Sequence, residues 1–132
     1  FDKVEEILPR ATYGWSLCPG HLVAEEEWLC SPIYEHSAEV LRSGMMLQIY
    51  IIPSVPGYGG SCAESTVVLA DETLKEQICQ QYPEMWQRMQ VRRQYIIQQL
   101  GIQLSEDVLP MCGTVAYLRP YLLEKDMAFV SR

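Results

Sequence analysis

The chain has 132 residues, 48% of them hydrophobic and 20% charged, which suits one folded domain or part of one and argues against disorder. A net charge of −7 argues against a nucleic-acid partner, because no basic surface is left to neutralise a run of phosphates. The apolar runs are too short to span a membrane, and no signal-peptide pattern opens the sequence.

The start at Phe1 reads as a processed end or a boundary inside a longer protein. Five widely spaced cysteines, Cys18, Cys30, Cys62, Cys79 and Cys112, fit reduced thiols in a cytoplasmic protein better than a disulfide framework.

In chain order, residues 2–8 read as the end of a helix stopped by Pro9. Residues 12–17 are aromatic and β-prone, and Pro19-Gly20 punctuates them. Cys18, His21 and Cys30 have a ligand-like spacing for zinc, but no CxxC accompanies them and a fourth ligand is missing. The run Glu25-Glu26-Glu27 reads as a solvated acidic stretch before Trp28, and His36 reads as a surface histidine in a loop.

Residues 45–52 form the clearest strand, with Gly44 before it and Pro53 after it. Alternation puts Leu47, Ile49 and Ile51 on one face and Gln48, Tyr50 and Ile52 on the other. A Pro/Gly turn returns the chain into a second strand, about residues 62–70, in which Glu64, Thr66 and Val68 share a face. Antiparallel pairing then brings Tyr50 and Glu64 to the same side of one sheet. Glu64 is the only charged residue between Arg42 and Asp71.

Asp71 is the expected N-cap of a helix over residues 72–81, and Pro83 opens a second helix that Gly101 closes. Met85, Trp86, Met89, Ile96 and Leu100 form its packing stripe, and Arg88, Arg92 and Arg93 a solvated basic face. From Ser105, a further possible cap, the tail reads as mixed and moderately apolar.

Three motifs follow one another: Gly20-His21 with Pro32 beyond it, "SGMMLQIYIIP" over residues 43–53, and "PGYGGSCAESTVVLAD" over residues 56–71. Their order resembles the carboxy-terminal half of the pita-bread metallopeptidases, the family of methionine aminopeptidase, prolidase, aminopeptidase P and creatinase. The resemblance covers roughly residues 14–71. It implies an α+β fold with an antiparallel sheet and helices on one side, resembling half of the pita-bread architecture. A mainly helical C-terminal extension over residues 72–132 would follow a pita-bread-like half over residues 1–71.

The family holds two divalent metals, manganese, cobalt or zinc, with two aspartates, a histidine and two further acids, and the metals activate a water for attack on an amide. The resemblance places His21 on the histidine ligand and Glu64 on the last acid. It places Tyr50 on the strand acid and Trp28 near the histidine that contacts substrate, so both become substrate-binding candidates. The two aspartates fall before Phe1. A phenol with an ordinary pKa near 10 is a poor replacement for a carboxylate. The resemblance therefore implies a metallopeptidase-like domain without catalysis in this chain and with no metal cofactor expected in it. Peptide or small-amide binding is the expected remnant. The alternatives are a self-associating structural module, or an active aminopeptidase or dipeptidase when complete. The expected partner is a second copy or the missing N-terminal half.

Overall fold

The structure is a computed structural model and describes residues 1–26, 30–57 and 63–112. The order of elements is α1 (Asp2–Ile7), α2 (Arg10–Tyr13), β1 (Gly20–Leu22), β2 (Met46–Ile51), β3 (Ala63–Leu69), α3 (Glu72–Gln81), α4 (Pro83–Gln98) and β4 (Val108–Pro110). The fold is α+β: the four strands form one sheet in the order β1-β2-β3-β4, and every neighbouring pair is antiparallel.

The two long strands stand where the β-rich stretches place them. Gly44, at a φ of 89°, turns the chain into β2, and its N–H donates to Leu69 O at 2.8 Å, fixing where the β2–β3 pairing begins. Asp71 caps α3, its side chain accepting from Leu74 N at 2.9 Å. Pro83 occupies the first turn of α4, where its missing N–H costs no helical bond. Past the end of α4, Gly101 takes a φ of 68° while Ile102 N–H reaches back to Ile96 O at 3.2 Å.

α3 and α4 pack on the sheet face that carries Val68, Leu109 and Met111. Ala70, Met89 and Leu109 are buried at the centre, with Leu74, Ile78, Met85 and Trp86 packed around them. Met89, Ile96 and Leu100 of the expected stripe are buried. On the other face Leu47 and Val67 pair and are buried, yet Ile49, on the same side of β2, is 43% exposed.

Three expectations need correction. Residues 12–17 form no strand: Pro9 instead starts the short helix α2, and the Trp15 indole folds back to donate to Leu8 O at 2.6 Å. The basic cluster on α4 is not wholly solvated, since Arg92 and Arg93 donate to the carbonyls of Pro110 and of Leu104, Ser105 and Val108. The segment after residue 71, expected to be mainly helical, carries α3 and α4 and then β4, which returns to the sheet beside β3. Ser105 opens no helix; its carbonyl accepts from Val108 N at 3.1 Å in the turn that leads into β4.

Lys75 ties α3 to that turn, bonding Glu72 at 2.6 Å and Asp107 at 3.3 Å. The Glu72 hydrogen bond, helped by Asp107 and opposed by partial desolvation, raises the Lys75 amine above its ordinary 10.5. Its stabilising contribution is therefore complete at neutral pH and is lost as the pH rises through that raised value. No helix among the described residues is long and apolar enough to cross a membrane. The tail over residues 113–132 lies outside the described residues.

Met89 is 1% exposed and Val91, two residues on, 60%. Met89→Ala is expected to lower stability by about 2–5 kcal/mol through lost transfer energy and a residual cavity. Val91→Ala stays within about 0.5 kcal/mol. Urea denaturation of the two variants measures both.

Candidate functional site

The three candidate residues come from three adjacent strands. His21 lies on β1 opposite Gln48, Tyr50 lies on β2 two residues beyond Gln48, and Glu64 of β3 stands directly across from Tyr50. Directly paired residues of an antiparallel ladder point to the same face, as do residues two apart along one strand. His21, Gln48, Tyr50, Glu64 and Thr66 therefore make one continuous strip on a single sheet face, the face that also carries Val68. The same-side placement expected for Tyr50 and Glu64 is what the register gives.

Burial differs along the strip. His21 is 6% and Tyr50 7% exposed, whereas Glu64 is exposed to solvent. The rings of His21 and Tyr50 meet edge to face, with centroids 5.6 Å apart and planes inclined at 62°. His21 Nδ1 lies 2.8 Å from the Leu22 carbonyl. A carbonyl only accepts, so Nδ1 carries a proton in this contact. Beside them Thr66 Oγ1 donates to Gln48 Oε1 at 2.7 Å, a cross-strand polar pair that sequence reasoning did not assign to the site. Its only signal was a glutamine at an alternating position in an otherwise apolar strand.

Gly20 explains why a glycine precedes the histidine. Its φ is 150°, and a Cβ there would stand 2.6 Å from the Gln48 carbonyl oxygen. Only glycine lets β1 approach β2 closely enough to seat the His21 ring against Tyr50.

Trp28 lies outside the described residues, as do Glu27, Cys62 and the turn residues Tyr58, Gly59 and Gly60. His36 is exposed in a loop at a φ of 59°. Cys18, Cys30 and Cys79 are free thiols, and Cys112 Sγ lies 3.5 Å from Ser65 Oγ and from Thr66 N. Cavities of about 330 Å³ beside Tyr34 and His36 and about 370 Å³ beside Ser43 and Asp71 are lined by other residues.

No family model, no curated protein and no solved structure matches the chain. What the strip can do follows from its own donors. Among the described residues no three histidine, cysteine, aspartate or glutamate side chains gather as a metal site. One imidazole, one carboxylate and one phenol do not fit a centre of two hard cations, which needs several bridging carboxylates. They do set an exposed carboxylate beside a buried phenol and a buried imidazole.

Gly20→Ala is expected to cost about 1–3 kcal/mol, because the clash is with backbone and no side chain can move to relieve it. The displaced β1 should also shift the His21 ring resonances, which an NMR spectrum of the variant reads directly.

Proposed function

We propose that this chain is a metallopeptidase-like domain of the pita-bread type that lacks hydrolytic activity and binds a peptide or small amide on the His21–Tyr50–Glu64 strip. The observation that supports it most is the register that sets Tyr50 opposite Glu64 with the His21 ring against it. His21, Tyr50 and Glu64, which come from the three motifs that resemble the family, share one face of the sheet.

The chemistry suits an amide. Glu64, exposed on the strip, accepts from an amide N–H. The His21–Tyr50 ring pair offers an apolar flank to a neighbouring side chain. The metals of the family would supply the activated water, and the residues here do not hold a pair of them. No hydrolytic step is assigned to this chain.

The test is an NMR titration of the isotope-labelled chain with alanyl-proline amide. Binding is expected to perturb His21, Tyr50 and Glu64 together, and a His21→Ala/Glu64→Ala double variant is expected to lose it. Unchanged affinity in the double variant, or turnover of the amide, contradicts the proposal.

A further inference from the structure

An amide offers two groups to a binding surface, an N–H that donates and a C=O that accepts. Glu64 meets the first, and a surface that holds amides needs a donor for the second. Donors on the strip are few. His21 and Tyr50 are 6% and 7% exposed, so they form the floor of the strip and offer a ligand little polar surface. The Thr66 hydroxyl proton is spent on Gln48 Oε1 at 2.7 Å.

Gln48 remains. It faces the same side as Glu64, because it pairs with Thr66 and stands two residues before Tyr50, the partner of Glu64. The bond from Thr66 occupies the carboxamide oxygen, so the end left over is Nε2 with its two N–H donors. Among the described residues Nε2 makes no hydrogen bond, and none of their buried side-chain nitrogens or oxygens is without a partner. Nε2 therefore reaches solvent. Gln48 as a whole is half-buried, so the group is held and still accessible. Gln48 and Glu64 are diagonal neighbours across the β2–β3 ladder, about 7–8 Å apart at Cβ, and both side chains are long enough to meet one group lying between them.

We infer, resting on the amide-binding reading of the strip, that Gln48 Nε2 donates to the carbonyl of the bound amide, and that Thr66 is the positioning residue that keeps Nε2 and not Oε1 turned to the ligand. The pair of Gln48 and Glu64 then takes an amide that presents its C=O and an N–H on one side. Without the bond from Thr66 the carboxamide can rotate and set its oxygen against the ligand carbonyl, two acceptors with no proton between them.

A merely structural role for the pair predicts something different. If the Thr66–Gln48 bond only ties β2 to β3, breaking it from either side costs the same, and the carboxamide protons do not sense the ligand. The experiment is an NMR titration of wild type, Gln48→Met and Thr66→Val with alanyl-proline amide. It follows the Gln48 side-chain NH2 signals, assigned through their couplings to the rest of that side chain. In the wild type they are expected to shift along the same saturation curve as His21 and Glu64. Gln48→Met is expected to weaken binding about three- to tenfold, the worth of one hydrogen bond. Thr66→Val, which keeps Nε2 but frees its rotation, is expected to lose less.

NH2 signals that stay in place while the strip titrates overturn the inference, and so do equal losses in the two variants or wild-type affinity in Gln48→Met. In each of those cases amide binding on the strip stands and only the assignment to Gln48 falls. No binding by the wild type removes both. The NH2 shift is read on the wild type alone, so it decides even where a variant does not fold.

Discussion

The register of β2 against β3 is the constraint on which the rest of the structure depends. Six residue pairs, from Met46 opposite Val68 to Ile51 opposite Ala63, are locked at one end by Gly44 N–H on Leu69 O and Leu69 N–H on Met45 O. A slip of one residue would send Tyr50 and Gln48 to the face opposite Glu64 and Thr66. It would also take Met46 from its place opposite Val68, which lies against the core built on Ala70, Met89 and Leu109. Core and strip are thus two readouts of a single pairing, one apolar under α3 and α4, the other polar beside β1.

Much of this was legible in the sequence for local reasons. β2 and β3 are β-prone runs bounded by Gly44, Pro53 and a glycine-rich turn, while Asp71 and Pro83 mark helix starts through groups they accept or lack. What was not legible depends on partners distant in sequence. β1 has three residues and becomes a strand only because Gly20 allows it to lie on β2. β4 contains Pro110, which reads against a strand until its edge position and the arginines of α4 are seen. Residues 12–17 have the composition of a strand, but Pro9 and the Trp15 indole bond decide otherwise.

The strip shows the same division. That Tyr50 and Glu64 share a side follows from alternation and a short turn between two strands. That His21 joins them was implied only by resemblance to a family, and its contact with Tyr50 depends on the close approach at Gly20. The pairing of Thr66 with Gln48 had no sequence signal strong enough to find it. The structure also gives His21 a second task, since its Nδ1 proton covers the Leu22 carbonyl at the sheet edge. Site geometry and edge protection are therefore linked through one side chain.

The proposed reading implies that the His21–Tyr50–Glu64 strip keeps the layout of part of the family's metal site, with a phenol at position 50 in place of one of its ligands. Calorimetric titration of the wild type and of Tyr50→Asp with manganese and with zinc tests it most directly. The substitution puts a carboxylate between His21 and Glu64 in the register described. Stoichiometric binding by the variant, with none by the wild type, is the predicted result. Stoichiometric binding by the wild type, or no binding by either, would contradict the account.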